Sequence, residues 1–424
     1  MNLFRATYYI FSRYTGPDER RVGKFFARVK EQHSSHQIEK SLLPLLQRSI
    51  AIVNLWTEHR YKGYTYLAKR TREELYENLG AIHADFAAFS ATEHVDIKEA
   101  IAHIASLGVD TAKLRTLPDE LVYLTKIMRY LAPRSGRYVY RLSSSFGRLL
   151  RDPKQEVLEG DCNQIVTLYL SLYAAKFPIT DLRLTLLPNH VALHFCGVDI
   201  EATTGEFAHY DEKGQHAAPV YEIVSVNLLD TSDTHVGQSI VNPEVFLQAA
   251  RLAYIVSSDR KLVEGNLAIA YRNTVSYLLE KQQFTQALIY ALQSKEYELI
   301  EIVSYNGSVH TMGEGHFKEA RGYARRSSRK QELARMIDEH EAVQLFRTKH
   351  YQAALKLYKQ LGSTDGMRQC YRALYIQAQA SLTHLRTVDE IKGNAGTIRT
   401  MERYAKASGD RELIAHAQSL AKHL

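Results

Sequence analysis

Hydrophobic residues in the first 130 positions recur at the spacing of an α-helix. Three or four positions separate successive apolar side chains, and strand-like alternation is not sustained. Pro118-Asp119-Glu120 opens the last of these segments, where a fixed φ angle and two negative charges suit a helix N-terminus. The pattern predicts an N-terminal helical region, with helices inside residues 22–70, 72–89, 97–106 and 118–130.

The pattern changes to strand alternation after Asp152-Pro153. Three sets of apolar residues occupy every second position: Leu182, Leu184 and Leu186; Val191, Leu193 and Phe195; and Val198, Ile200 and Ala202. Pro188-Asn189 and Cys196-Gly197 fall between these sets, and both dipeptides suit tight turns between strands. We therefore predict an antiparallel sheet in the centre of the chain.

Helical spacing returns after about Asn242, and the last third of the chain contains a repeat. An aromatic residue followed three positions later by alanine occurs three times, at intervals of 33 and 34 residues: Phe284 and Ala287, Phe317 and Ala320, and Tyr351 and Ala354. A period of this length is typical of stacked helix–turn–helix units. Leu267-Ala268 and Tyr271 precede the first copy at the offsets that tetratricopeptide repeats use, so this region resembles a tetratricopeptide solenoid.

The net charge of +7 is unevenly divided. Residues 1–150 contain 23 Lys and Arg against 15 Asp and Glu, residues 151–260 contain 7 against 15, and residues 261–424 contain 24 against 17. The basic residues have ordinary surface spacing on predicted helices, so we expect no nucleic-acid partner. The basic last third favours an acidic protein partner.

Cysteine content and hydropathy bear on where the protein works. Three cysteines in 424 residues cannot form a disulfide framework, which favours a reducing compartment. No segment approaches the roughly 18 uninterrupted apolar residues that a membrane span requires. The apolar patch at residues 6–11 lies between arginines and lacks a signal-peptide cleavage site. We expect a cytoplasmic protein with no membrane association.

Cys162 is the residue that most strongly indicates chemistry. The apolar residues that follow it recur on one helical face, so a buried helix is expected there, with Asp161 as its N-cap and Gln164 completing a capping box. Cys162 then lies in the first turn. The helix dipole and free backbone N–H groups at that position favour a thiolate and can stabilise an oxyanion.

The predicted sheet offers two imidazole–carboxylate pairs for such a thiol. If Cys196-Gly197 is a two-residue hairpin loop, His194 lies directly opposite Asp199, and His190 lies diagonal to Glu201. Either pair would orient an imidazole against Cys162, as thiol acyl transfer requires. Spacing alone does not decide between them.

Three motifs in this region occur together in a known superfamily. Gly160-Asp161-Cys162 opening an apolar helix, Asn189-His190-Val191 opening a strand, and residues 200–205 (Ile-Glu-Ala-Thr-Thr-Gly) ending the next strand resemble the transglutaminase-like superfamily. More narrowly, the chain is similar to bacterial proteins that combine that fold with tetratricopeptide repeats. The resemblance covers roughly residues 120–210.

The resemblance implies a papain-type fold and a role for each motif residue. Cys162 matches the nucleophile, His190 the base and Glu201 the acid that orients the base. The implied activity is cysteine peptidase, amidase or transglutaminase-like acyl transfer at an amide bond of a protein or peptide substrate. Hydrolysis and transfer to an amine stay open, and the amide of Gln155 is the side-chain candidate for an oxyanion donor.

Three other interpretations compete with a catalytic triad. Cys162, His190, His194 and Cys196 supply zinc-type ligands, but they lack compact finger spacing, so we expect no metal and no cofactor. In the second interpretation Cys162 is an inert core residue, and both histidines are solvated strand residues. In the third interpretation the transglutaminase-like domain is an inactive scaffold that binds a protein partner through its helical repeats.

These observations together define the expected architecture. We predict an α+β chain in which a transglutaminase-like domain with an antiparallel sheet occupies residues 118–241. An N-terminal helical region occupies residues 1–117, and a tetratricopeptide-like α-solenoid occupies residues 242–424.

Overall fold

The computed structural model describes residues 9, 11–210, 216–231, 242–383, 387–422 and 424. The chain divides into two compact units, Met1–Thr274 and Val275–Leu424. The first unit is mixed α/β and contains a small antiparallel sheet, whereas the described part of the second unit is helical.

The described helices of the first unit lie before, between and after its strands. In chain order they are α1 (Pro17–Arg28), α2 (Ser35–Arg60), α3 (Lys69–Thr92), α4 (Ile97–Ser106), α5 (Pro118–Leu131), α6 (Phe146–Leu149), α7 (Cys162–Ala174), α8 (Ile223–Leu229), α9 (Pro243–Val256) and α10 (Arg260–Glu280), whose last six residues belong to the second unit. The four predicted helical segments before residue 131 are confirmed as helical. Pro118 begins α5, with Asp119 and Glu120 in its first turn.

The sheet of the first unit has five antiparallel strands in the order β6-β5-β4-β3-β7. Its strands are β3 (Arg183–Leu187), β4 (His190–Phe195), β5 (Val198–Glu201), β6 (Glu206–Ala208) and β7 (His216–Pro219). The shorter strands β1 (Tyr138–Tyr140) and β2 (Leu158–Gly160) form a separate parallel pair. The antiparallel pairing predicted for the three central strands is confirmed.

Both predicted turns join their strands as two-residue loops. Asn189 has a φ of 58°, and Cys196 and Gly197 have φ values of 51° and 96°. Positive φ at both Cys196 and Gly197 is the geometry of a type I′ hairpin turn, which matches the twist of the strands that it joins. The β4–β5 register is therefore the predicted one, with Phe195 opposite Val198 and His194 opposite Asp199.

Helix α7 lies in the centre of the first unit. It packs against β4 and against helices α2, α5 and α8. Residues on every side of it are buried, including Thr167 and Ser171, so the single apolar face predicted from sequence understates its burial. Its N-terminus consequently lies where the sheet and the surrounding helices meet.

The hydrophobic core of the first unit is continuous from Tyr14 to Val256. The N-terminal helices contribute to this same core, because their apolar faces close over α7 and the sheet. The domain boundaries predicted at 117/118 and 241/242 both lie inside this compact unit. They remain predictions made from the sequence.

The described helices of the second unit follow one another with short connections. They are α11 (Phe284–Ser294), α12 (Tyr297–Gly313), α13 (Phe317–Ala324), α14 (Lys330–Arg347), α15 (Tyr351–Leu361), α16 (Thr364–Ala380), α17 (Val388–Gly393), α18 (Ala395–Ser408) and α19 (Arg411–Ala421). Successive helices from α11 to α16 pack on each other. The alanines of the three sequence repeats are completely buried at these contacts: Ala287, Ala320 and Ala354.

The same turn precedes each repeated aromatic residue. Phe284, Phe317 and Tyr351 each begin a helix. Two positions before them the backbone has positive φ, at Gln282 (57°), Gly315 (78°) and Lys349 (65°). The residue between this position and the aromatic residue has φ near −87° and ψ near 57° in all three turns, within about 4°. The repeat is therefore present in the backbone as well as in the sequence.

No helix among the described residues is long and apolar enough to cross a membrane.

A glycine turn joins β5 to β6 and rests against α5. The backbone N–H of Gly205 donates to the carbonyl of Glu201 at 2.8 Å, and Gly205 has a φ of 72°. A Cβ placed on Gly205 would lie 2.6 Å from the carbonyl oxygen of Met128 and 2.8 Å from the Cβ of Ala132. Only glycine satisfies both the backbone angle and the close approach to the helix.

We predict that Gly205→Ala lowers the free energy of unfolding by about 2–5 kcal/mol, because it combines a left-handed backbone with overpacking against α5. Gly136→Ala is the matched control, since Gly136 has a φ of 74° and a Cβ placed on it would meet no atom within 4 Å. The control should cost only about 1–2 kcal/mol. Equal losses for the two variants in denaturant unfolding would contradict the close contact.

Candidate active site

Helix α7 begins at Cys162 because the residues around it satisfy the first turn. The carboxylate of Asp161 accepts the backbone N–H of Asn163 at 3.0 Å, and the side chain of Gln164 accepts the backbone N–H of Asp161 at 3.1 Å. This is the predicted capping box, which is confirmed. Cys162 is therefore held at the positive end of the helix, 8% exposed, with its sulfur 3.8 Å from Asn163 Oδ1.

Asp230, just beyond α8, binds the same helix start from another side. Its Oδ2 accepts the side-chain amides of Asn163 at 3.1 Å and Gln164 at 3.2 Å. The two amides follow Cys162 directly in sequence, so this carboxylate restricts the side chains next to the thiol. Sequence reasoning missed Asp230, because 67 residues separate it from Asn163 and no local pattern marks it.

His190 begins strand β4 and lies between the thiol and a carboxylate. Its Nε2 is 2.6 Å from Oε2 of Glu201, and it shares the wall of one cleft with Cys162. Interactions with the Cys162 side chain and then with Glu201 raise the pKa of His190 to about 10, although burial opposes this. The structure thus brings the three sequence-predicted residues together.

Four donors surround the carboxylate of Glu201. His190 Nε2 and the hydroxyl of Tyr210 reach Oε2 at 2.6 Å each, while the backbone N–H of Thr203 reaches Oε1 at 3.0 Å. The hydroxyl of Thr203 donates to the same Oε1. Burial alone would raise the pKa of Glu201, but these hydrogen bonds outweigh it and lower the pKa to about 2. Glu201 is therefore a carboxylate at any physiological pH.

The charge of Glu201 determines which nitrogen of His190 faces the thiol. An ionised carboxylate accepts hydrogen bonds and cannot donate one, so His190 Nε2 must be protonated. Nδ1, the other ring nitrogen, is then the one available to Cys162. A thiol next to an imidazole whose far nitrogen is held by an acid is the arrangement that activates a cysteine nucleophile.

The rival pair, His194 and Asp199, has a structural role. His194 donates from Nδ1 to Asp199 at 2.9 Å, and its Nε2 accepts the backbone N–H of Gly197 at 3.2 Å, so both ring nitrogens are used within the hairpin. Asp199 is 1% exposed and also accepts the Thr185 hydroxyl at 2.6 Å and the backbone N–H of Tyr210 at 2.9 Å. Tyr210 therefore links this pair to Glu201.

A cleft of about 560 Å³ opens above the thiol. Cys162 and His190 lie in its wall, together with Tyr140, Asn189 and Asp230. Most of the remaining lining is apolar: Leu142, Leu186, Leu187, Pro188, Val191, Val226, Leu229, Leu262 and Val263.

The candidate zinc ligands separate into two places. Cys162 and His190 line the cleft, whereas His194 and Cys196 line another cavity, at the far end of β4. Within the described residues, no group of three or more histidine, cysteine or acidic side chains is arranged to hold a metal ion.

Gln155, the side-chain candidate for an oxyanion donor, lies outside the cleft. Its side-chain amide donates to Asp152 at 2.8 Å in an exposed turn, and Gln155 is not part of the cleft wall. Tyr210 and Thr203 were missed, although Thr203 lies within the 200–205 motif. Their contacts with Glu201 depend on the turn after β5, which strand alternation does not describe.

The chain matches no known family model, and no curated protein matches it. The candidate site therefore stands on its own geometry.

The N-cap carboxylate generates a pH-dependent prediction. Burial, and then the charge of Asp230, raise the pKa of Asp161 to about 6. The folded state consequently binds more protons than the unfolded state between about pH 4 and 6, so this group lowers stability as pH rises through that window. Asparagine also caps helices but carries no charge.

Asp161→Asn should therefore gain stability relative to the wild type, by about 1–3 kcal/mol, as pH rises from 4 to 7. Urea unfolding at several pH values measures this difference. Asp96→Asn, which changes the exposed N-cap of α4, controls for loss of a cap carboxylate. A pH-independent difference at Asp161 would mean that its carboxylate is not destabilised by its surroundings.

Proposed function

We propose that the protein catalyses thiol-dependent hydrolysis or acyl transfer at an amide bond of a protein or peptide substrate. Cys162 is the nucleophile, His190 the general base and acid, and Glu201 the residue that orients His190. The observation that carries this proposal is the placement of the His190 imidazole between the Cys162 thiol and the Glu201 carboxylate, at the wall of an open cleft.

The first half-reaction transfers the acyl group to sulfur. His190, whose raised pKa keeps it protonated at neutral pH, holds the proton of Cys162 at Nδ1 before the substrate binds, and the thiolate forms a C–S bond with the substrate carbonyl carbon. The backbone N–H of Cys162, at the first position of α7, is the proposed donor to the resulting oxyanion, since the neighbouring N–H of Asn163 is taken by Asp161. The C–N bond then breaks, and the imidazolium returns its proton to the leaving amine.

The second half-reaction releases the acyl group from the thioester. Water or an amine attacks the carbonyl carbon and loses a proton to His190, the C–S bond breaks, and the Cys162 thiolate is released beside the protonated His190. Water yields an acid and an amine yields a new amide. Glu201 keeps the imidazole in one orientation and stabilises its cation throughout, without itself exchanging a proton.

The proposal extends to the fold. A cysteine at the start of a buried helix, packed against an antiparallel sheet that carries the histidine and the acid, supports a transglutaminase-like, papain-type domain in the first unit. The turn repeated before Phe284, Phe317 and Tyr351 supports a tetratricopeptide-like array in the second unit. We propose that this basic array recruits an acidic protein partner or substrate.

The alternative is a catalytically inactive scaffold that binds its partner through the helical repeats. The low exposure of Cys162, 8%, is the observation that favours it, because a buried thiol is commonly a packing residue. The two functions separate experimentally. A scaffold keeps its partner binding and loses nothing measurable in Cys162→Ser, whereas an enzyme loses turnover.

Reaction with iodoacetamide followed by mass spectrometry tests the enzyme directly. At pH 7 we expect Cys162 to be alkylated at least about tenfold faster than the other two cysteines. Burial raises the pKa of Cys196, and burial raises the pKa of Cys370 to about 11, so both are poor nucleophiles there. His190→Gln should remove the advantage of Cys162.

Matched carboxylate variants then assign the acid. Glu201→Gln should slow alkylation of Cys162 by about tenfold or more while the protein stays folded, because the imidazole loses its orientation. Asp199→Asn should instead lower the free energy of unfolding, since Asp199 is a buried acceptor for three donors. If Glu201→Gln leaves the alkylation rate of Cys162 unchanged while a folded Asp199→Asn protein loses reactivity, Asp199 and not Glu201 is the orienting acid.

A further inference from the structure

A second cavity of about 520 Å³ adjoins the active-site cleft. The two share Leu142, Asp161 and Asp230 in their walls, so they meet directly beside Cys162, which follows Asp161 in the chain. Three arginines line this second cavity: Arg141, Arg148 and Arg151. We call it the arginine cavity.

The arginines outnumber the carboxylates that neutralise them. Arg141 and Arg151 share one oxygen of Glu159, at 2.8 Å and 3.0 Å. Arg151 also has the exposed carboxylate of Glu156 at 3.5 Å. Arg148 lies over the ring of Tyr66, at 4.8 Å from its centroid, and forms no ion pair with a carboxylate of the described residues.

The two aspartates in the cavity wall are committed elsewhere. The carboxylate of Asp161 caps α7, and that of Asp230 accepts the amides of Asn163 and Gln164. Within the described residues neither aspartate forms an ion pair with Arg141, Arg148 or Arg151. The cavity therefore presents guanidinium groups that these two carboxylates do not occupy.

The cleft on the other side of the thiol has the opposite character. Its walls include Leu186, Pro188 and Val226, and its rim exposes Leu142 (82%) and Tyr140 (49%). Side chains this apolar and this exposed are suited to covering a bulky apolar group of a ligand. A substrate acylated at Cys162 therefore meets apolar surface in one direction and guanidinium groups in the other.

We infer that the arginine cavity is a carboxylate subsite, and that the substrate is a peptide with a bulky apolar side chain next to the reacting amide and a carboxylate within one or two residues of it. This inference rests on the proposed function. A planar guanidinium donates two parallel N–H groups to a carboxylate, so Arg141 and Arg148 match an acidic side chain or a chain-terminal carboxylate.

Binding to the Cys162→Ser variant tests the subsite without any need for reactivity. The probes are acetyl-Phe-Glu-amide, its isosteric partner acetyl-Phe-Gln-amide, and acetyl-Phe-Gln with a free terminal carboxylate. We expect at least one anionic peptide to bind about two- to tenfold more tightly than the neutral peptide at low salt. The preference should shrink as ionic strength rises, since charge interactions at an open site are screened.

Arginine variants locate the preference. Arg141→Gln and Arg148→Gln should each reduce it by about two- to fivefold. Arg134→Gln, an exposed arginine outside both cavities, makes the same change in net charge and should leave the preference intact. Comparison of the two anionic peptides distinguishes a side-chain carboxylate from a terminal one.

Two reactive probes separate this inference from the proposed function. They are the Phe-Glu-amide and Phe-Gln-amide peptides with an iodoacetyl group in place of acetyl. Selective labelling of Cys162 at equal rates by the Glu and Gln probes, unaffected by the arginine variants, would overturn the subsite and leave the enzyme standing. Failure of both probes to label Cys162, with anion-selective binding to Cys162→Ser retained, would overturn the enzyme and leave the carboxylate site.

Discussion

The hydrogen bond between His190 and Glu201 is the interaction on which the candidate site depends. It is 2.6 Å long, and it requires the β4–β5 register, which places Glu201 diagonal to His190 across the hairpin. It also requires the turn after β5, because Thr203 and Tyr210 fill the remaining positions of the Glu201 carboxylate. Gly205 then anchors that turn against α5, so a helix outside the sheet contributes to the position of an imidazole inside the cleft.

The thiol is held by an independent set of contacts. Asp161 and Gln164 define where α7 begins, and Asp230 restrains the side chains next to Cys162. Cys162 therefore belongs to the helix, whereas His190 and Glu201 belong to the hairpin. Packing of α7 on β4 brings the two sets together.

Local patterns predicted the parts of this site that depend on local rules. Strand alternation and the Cys196-Gly197 turn predicted the hairpin, and the capping box predicted the position of Cys162 in its helix. Spacing did not decide between His190 and His194, because both lie on the same face of one strand. The structure distinguishes them through contacts with the turn after β5 and with Gly197, and Asp230 was missed because its partners lie 66 and 67 residues away.

The protonation state of His190 tests the candidate site most directly, since it depends on both Cys162 and Glu201. Nitrogen-15 NMR of the imidazole, assigned by comparison with His190→Gln, reports the protonation of each ring nitrogen across a pH titration. The account predicts that both nitrogens of His190 carry protons at neutral pH and that the pKa of the group lies at about 10. A neutral His190 at pH 7.5, titrating near the ordinary value of about 6.5, would contradict it.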